Sequence, residues 1–321
     1  MRPVLCFGEV LIDFLNTSRK QDGDLALNSF TQYPGGAPAN VAVAVARLGG
    51  ESRFAGQVGA DPFGEFLLNA LELFGVDTTF TAIHGEAKTA LAFVFLDDDG
   101  ERSFSFRRDG TADVVMQPDQ VVDEWFERQP IVHLCSNTLT DPSITRVTRE
   151  VVTRARDRAA LVSFDVNLRH NLWPTGQADP DTVNEQVMNA DLVKFAREEF
   201  DFLSQGDPGA YRDQCFAARP SVLLITDGGK DLRVVTERGD IGVTPPQVKA
   251  VDTTGAGDAF IAGVLFGLSR SEDPVARMRD PEYIEELVRF AAHCGAVAVT
   301  RPGAFPSFPR LDDVNCPAPR A

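Results

Sequence analysis

Apolar and polar positions along the chain separate two kinds of region. Residues 4–8 form a short apolar run, read as a first buried strand, and Val10-Leu11-Ile12-Asp13-Phe14-Leu15 continues extended. Gln32-Tyr33-Pro34-Gly35-Gly36 has turn chemistry. Ala37-Pro38-Ala39-Asn40 then opens a helix that runs to Leu48 and is stopped by Gly49-Gly50. That helix is apolar on every side until Arg47, which predicts burial. Residues 56–64 and the run to Val76 read as strand, turn and helix. Residues 88–95 and 102–108 read as strands, with Asp97-Asp98-Asp99-Gly100 as the hairpin turn between them. With 10–33 they interrupt the alternation of strand and helix, so they predict a separate small sheet.

From residue 113 the alternation is regular. Strands at 131–134, 161–165, 192–194 and 222–226 are separated by helical stretches such as 143–158. This pattern predicts an α/β chain with a mostly parallel sheet flanked by helices on both faces. Ligands in such sheets bind beyond the carboxyl ends of the strands. Asp165, Asn167 and Arg169 alternate there and can face one way. Asp165 and Arg169 suit a surface salt bridge, or Arg169 suits a clamp on phosphate or sugar oxygens. Lys194 and Thr226-Asp227-Gly228-Gly229 end the next two strands. Asp13 is either solvated at a sheet edge or reaches a polar ligand. The buried Asn40 amide needs a partner, from protein or ligand. His133 reads as structural.

Charge narrows the partners. With 31 Lys+Arg against 47 Asp+Glu the formal charge is −16, which disfavours nucleic acid and anionic membrane surfaces. An anionic ligand therefore needs a local cradle. The five cysteines lack a C-x-x-C pair and no zinc spacing appears, so reduced thiols and a cytoplasmic setting are expected. The charge at Glu9 comes too early for a signal peptide, and no apolar run is long enough to span a bilayer. Residues 1–316 are expected to form one domain, and 317–321 a flexible tail.

The cradle is found at Asp252-Thr253-Thr254-Gly255-Ala256-Gly257-Asp258-Ala259-Phe260. Two glycines permit unusual backbone angles and close ligand approach, and the apolar run after them predicts a buried helix. The first amides of that helix suit an anion, and Asp258 among them is expected to stay ionised and accept a proton. Such a pairing is what phosphoryl transfer to an alcohol needs. No Gly-Lys-Ser/Thr follows, so the loop is not a Walker A motif.

This stretch resembles the C-terminal signature of the ribokinase-like (PfkB) carbohydrate kinases. Gly35-Gly36-Ala37-Pro38-Ala39-Asn40 resembles their N-terminal signature in its fructokinase form, and Asp165 to Arg169 with Leu172-Trp173-Pro174 is again similar to fructokinases. The resemblance implies a ribokinase-like fold with a small β lid, formed by about 10–33 and 88–112, that often makes a homodimer contact. It implies ATP and Mg²⁺, with K⁺ as a monovalent cation. Asp258 would be the base, with the amides of Gly255, Ala256, Gly257 and Asp258 as anion hole and Arg169 assisting. Asp13, Gly35, Gly36, Asn40 and Asn167 would hold the sugar, with Phe95, Phe106 and Arg108 contributed by the lid. Lys194, Thr226, Gly228, Ala291, Cys294 and Gly295 would line the nucleotide. Asp252, Thr254, Ala298, Arg301, Gly303 and Ser307 would hold K⁺. Ala196 stands where many members carry an Asn linked to magnesium, which leaves Glu199 to act on Mg²⁺ through water. Related kinases of 2-keto-3-deoxygluconate or ribose, and a non-catalytic sugar sensor, are the alternatives.

Overall fold

The computed structural model describes residues 1–96 and 102–320, so the expected turn at 97–100 lies outside the described residues. The first half of the chain runs β1 (Val4–Phe7), β2 (Leu11–Asp22), β3 (Leu25–Gly35), α1 (Ala37–Arg47), β4 (Ser52–Gly59), α2 (Pro62–Leu73), β5 (Asp77–His84), β6 (Leu91–Leu96) and β7 (Arg102–Arg107). It continues as β8 (Ile131–Cys135), α3 (Pro142–Asp157), β9 (Leu161–Asp165), α4 (Pro180–Val187), β10 (Leu192–Ala196), α5 (Arg197–Leu203), α6 (Pro208–Ala218) and β11 (Val222–Thr226). The remainder is β12 (Leu232–Thr236), β13 (Gly239–Val243), α7 (Ala256–Ser269), α8 (Pro274–Met278) and α9 (Pro281–Ala298).

Among the described residues the strands make two sheets. The larger has nine strands in the order β13-β12-β11-β10-β9-β8-β1-β4-β5. It is parallel from β11 to β5, and β12 and β13 extend it antiparallel, a hairpin the sequence reading did not anticipate. Alternation along β1 assigns its side chains to two cores. Val4 and Cys6 join residues of α1, α2, α7 and α9, whereas Leu5 and Phe7 join residues of α3 to α6. Helices thus cover both faces, as the pattern predicted. Helix α7 is the most deeply set, buried from Asp258 through Ser269. Its Gly263 lets α9 close in: a Cβ there would lie 2.9 Å from Ala291 Cα.

The second sheet is β3-β2-β6-β7, the expected separate small sheet. Two boundaries differ from expectation. Residues 32–35 are not a turn but the end of β3, paired with β2 through Asp13↔Tyr33 and Leu11↔Gly35. Pro34 is tolerated because β3 is an edge strand, where one side of the backbone makes no ladder bonds. The strand expected from residue 88 begins at Leu91. Beyond Val314, Ala318 packs beside the core of Leu48, Phe266 and Phe290, and Arg270 Nη1 donates to Pro319 O at 3.2 Å.

Asp61 joins the two sheets. It caps α2 by accepting from Phe63 N (3.1 Å) and Gly64 N (2.9 Å), and it accepts from Thr89 N (2.9 Å) and Thr89 Oγ1 (2.8 Å) just before β6. Burial raises the Asp61 pKa, but these bonds outweigh it and hold the carboxyl below its usual range. Asp61→Ala is therefore expected to cost about 1–2 kcal/mol in chemical denaturation at neutral pH. A depressed carboxylate stabilises above its unfolded pKa and loses that contribution as pH falls through the folded value. The wild-type advantage should accordingly shrink in acid.

Candidate active site

The functional groups cluster where the carboxyl ends of β1, β8, β9, β10 and β11 meet the amino ends of α1 and α7. Two cavities open there. A polar one of about 590 Å³ receives Asp13 from β2, Phe106 from β7, Gly36 and Asn40 from the start of α1, Asn167 and Arg169 from beyond β9, and Lys194 from β10. A more apolar one of about 420 Å³ is lined by Thr226, Gly228, Leu232, Val248, Ala292, Gly295 and Val299. Thr253, Ala256 and Gly257 line both, so the cavities meet at the Gly-rich loop.

That loop turns through Gly255, which sits left-handed at φ 75° and caps α7. A Cβ at Gly255 would lie 2.8 Å from Phe308 Cε1, so glycine is required on two counts. Asp258 follows in the first turn and lines the polar cavity. Its Oδ2 accepts from Asn40 Nδ2 at 2.7 Å, which answers the question of the Asn40 partner. Burial raises the Asp258 pKa, and the Asn40 bond with the Lys194 and Arg169 charges only partly offsets this. A buried carboxyl with a raised pKa is the better proton acceptor.

Two contacts shape the wall beside it. A Cβ on Gly35 would fall 2.0 Å from Asp13 Oδ2, and one on Gly36 would fall 2.5 Å from Glu9 O. Only glycine lets the strand end run this close. Asp13 is pushed up to about 7, by burial first, then by the charges of Glu9 and Asp258, with Arg169 opposing. Asp165 does not pair with Arg169. It is buried and meets Lys194 Nζ at 3.0 Å, while Arg169 Nη1 donates to Leu168 O at 3.2 Å on the cavity wall. Burial disfavours charge on both Asp165 and Lys194, but their mutual attraction keeps the Lys194 ammonium charged. Lys194 sits directly under the loop, since a Cβ on Gly257 would be 3.0 Å from its Nζ. Glu199 is buried with both oxygens engaged, Oε1 by Leu168 N and Oε2 by Ala196 N, each at 2.7 Å. His133 is structural as expected, bonded through Nδ1 to Ser163 Oγ at 3.1 Å, and burial with the Lys194 charge lowers its pKa to about 3.

Several expected residues lie elsewhere. Phe95 packs edge-on to Phe30 at 5.5 Å, on the face of the small sheet opposite Phe106. The register pairs Phe106 with Ala92, and Ala92 and Phe95 differ by an odd number along β6. Arg108 is buried behind the cavity, bound to Asp113 Oδ2 (2.6 Å), Asn137 O (2.7 Å) and Thr140 Oγ1 (3.1 Å). Ala291 and Cys294 face α7 at Gly263, and their neighbours Ala292 and Gly295 line the apolar cavity instead. The reading also missed Glu9 and Asn137, polar residues just past β1 and β8 that line the polar cavity. The strand-end rule pointed at both.

The candidate cation loop converges. Asp252 accepts from Thr254 N at 2.9 Å and from Gly303 N at 3.0 Å, joining the two segments. Ser307 is fully buried, with Oγ donating to Ala304 O at 2.7 Å. The Ala298 carbonyl accepts from Arg301 N at 3.3 Å, and Arg301, whose guanidinium has no acceptor and donates to Asp313, has only a main-chain oxygen to offer.

The pfkB family carbohydrate kinase model matches residues 1–311, and the chain belongs to that family. It is 37% identical over 319 residues to a probable fructokinase-7 of Arabidopsis thaliana, covering 97% of this chain and 91% of that one. The fructokinase of Xylella fastidiosa with bound ATP superposes with a TM-score of 0.91 at 41% identity, over 97% of this chain and 96% of that one. A double-mutant fructokinase of Vibrio cholerae O395, in a form binding fructose, ADP and potassium ion, gives 0.86 at 34% identity over 98% of both chains. The fold is ribokinase-like, and the enzyme is a phosphotransferase with a hydroxyl acceptor.

Lys194→Met would leave the buried Asp165 carboxyl uncompensated. A loss of about 3–5 kcal/mol is expected by chemical denaturation, because breaking one side of a buried pair costs more than the pair contributes. The double variant Lys194→Met/Asp165→Leu should recover much of it.

Proposed function

We propose that this chain is an ATP-dependent fructokinase, transferring the γ-phosphoryl group of ATP to the primary hydroxyl of D-fructose to give fructose 6-phosphate. The observation that carries the reading is the meeting of a polar and a more apolar cavity at Thr253, Ala256 and Gly257, with Asp258 buried on the polar side. The apolar cavity suits an adenine between Leu232, Val248, Ala292 and Val299, with the phosphates running past Thr226 and Gly228 to the loop. The polar cavity suits a sugar held by Asp13, Gly36, Asn40 and Asn167. Fructokinases bound to ATP, and to fructose with ADP, stand among the similar structures and support both assignments.

In this reading the acceptor hydroxyl lies at Asp258, which takes its proton as the new P–O bond forms and the bond to the ADP oxygen breaks. Ala256 N–H donates to Thr253 O at 3.3 Å, which leaves anion stabilisation to the amides beside it at the start of α7. Lys194 and Arg169 add positive charge from below and beside the loop. Direct Mg²⁺ ligation does not fit Glu199, whose oxygens are both taken by backbone donors; the metal would arrive on the nucleotide phosphates. The Asp252–Gly303 junction fits a K⁺ ion held by the oxygens around it, whose charge would support the loop. The exposed Leu25 and Leu27 on the small sheet support a homodimer through the lid, and five free cysteines support a cytoplasmic setting.

The direct test is ADP release from Mg·ATP over fructose, ribose, 2-keto-3-deoxygluconate, glucose and adenosine, with and without K⁺. Turnover on fructose is expected, and preference for another acceptor would overturn the substrate. Asp258→Asn should bind both substrates and lose nearly all turnover. A rate within about tenfold of wild type, roughly 1.4 kcal/mol, would remove Asp258 from the base role.

Protonation of Asp258 should give kcat/KM for the sugar an acid limb above the ordinary carboxylate range. The Asn40 bond lowers the Asp258 pKa, so Asn40→Ala should move that limb to higher pH. An unmoved limb would show that another group titrates.

A further inference from the structure

Four polar atoms buried around the polar cavity have no hydrogen-bond partner among the described residues: Glu9 Oε2, Asn40 Oδ1, Asn137 Oδ1 and Arg108 Nη2. Two of these belong to the residues past β1 and β8. Glu9 is 2% exposed and Asn137 7%, and both line the cavity. Glu9 Oε1 is fixed, accepting from Ala37 N at 3.2 Å and from Asn137 Nδ2 at 2.8 Å. What the pair has left over is two acceptors, one carboxylate and one amide oxygen. Unmet buried acceptors are costly, so such a wall calls for donors from a ligand.

The cation whose charge acts on Glu9 is already committed, and the two that line the cavity lie against other carboxyls, Arg169 with Asp13 and Asp258, and Lys194 with Asp165. Arg108 is absent from the cavity lining, holds Asp113, and fixes the main chain of Asn137 through its carbonyl. Its charge also opposes the rise that burial imposes on the Glu9 carboxyl. Asp13, Glu198, Glu199 and Asp258 add further carboxyl groups on the same cavity.

We propose that Glu9, positioned by Asn137, is a specificity-determining residue that accepts hydrogen bonds from the hydroxyls of a neutral sugar and excludes sugar acids. A hydroxyl can donate to Glu9 Oε2, whereas a carboxylate brings only acceptors and a like charge. Arg108 is a positioning residue behind this wall. The inference rests on the sugar-kinase reading and narrows its substrate class.

The test is kcat/KM for fructose and for 2-keto-3-deoxygluconate at saturating Mg·ATP, in wild type, Glu9→Gln and Asn137→Ala. The Gln variant keeps an oxygen for Ala37 and Asn137 and replaces the free acceptor by an uncharged donor. Its fructose-to-acid ratio is expected to fall at least about tenfold through the KM for fructose, with the KM for ATP unchanged. Asn137→Ala should shift the ratio the same way. A ratio within about twofold of wild type in both variants, or equal rises in the KM for fructose and ATP, would overturn the proposal and leave the fructokinase reading intact.

A second measurement needs no variant: competition by the sugar acid against the neutral substrate in wild type. No inhibition at about a hundred times the KM for fructose supports exclusion, and inhibition near that KM overturns it. Turnover on ribose in place of fructose would sink only the fructose reading, provided the acid is still excluded.

Discussion

One buried hydrogen bond, from Asn40 to Asp258 across 218 residues of sequence, ties the first turns of α1 and α7 together at the mouth of the sheet. Neither group can be dry and alone, because a buried carboxyl and a buried amide each need a partner. Joining them places two helix starts side by side at the polar cavity. The packing behind them serves the same end: α7 is apolar around its whole circumference and is sandwiched between α1 and α9, with Gly263 allowing the close approach. The loop at Gly255 thus rests on a deeply packed helix.

Charge is organised locally against the chain's own excess. With a formal charge of −16, the molecule as a whole repels anionic substrates, yet the junction of the two cavities carries Lys194 and Arg169. Burial makes these few charges count for more than the many at the surface. The carboxyls nearby are held apart in role by their partners. Asp165 holds Lys194, Asp113 holds Arg108, and Asp258 accepts from the Asn40 amide. Burial raises the Asp258 pKa, and the Asn40 bond with the Lys194 and Arg169 charges offsets only part of the rise.

Much of the site was legible because its residues lie close together in sequence. Gly35-Gly36 with Asn40, and Gly255 to Asp258, are local signatures whose glycines the backbone demands at φ 104° for Gly36 and 75° for Gly255. The strand ends were legible from the regular spacing of apolar runs. The failures have a common cause in register and rotation. Phe95 and Phe106 read alike as aromatic strand residues, but pairing Phe106 with Ala92 turned them to opposite faces. Ala291 and Cys294 are one position away from Ala292 and Gly295, and on a helix one position is a turn of about 100° away from the cavity. Arg108 looked like a ligand and is spent on Asp113.

By itself the sequence determined the class of fold and marked the glycine-rich loop that carries Asp258, because periodicity and glycine-rich turns are local and leave their mark in adjacent residues. Tertiary structure alone decided which partner each charged group would have. Glu9 with Asn137, Asp165 with Lys194 and Asn40 with Asp258 are joined across distant segments. Their protonation follows from burial and from neighbours that strand order brings together. No pattern along the chain encodes a dielectric environment; it exists only once the sheet has assembled and water has been excluded.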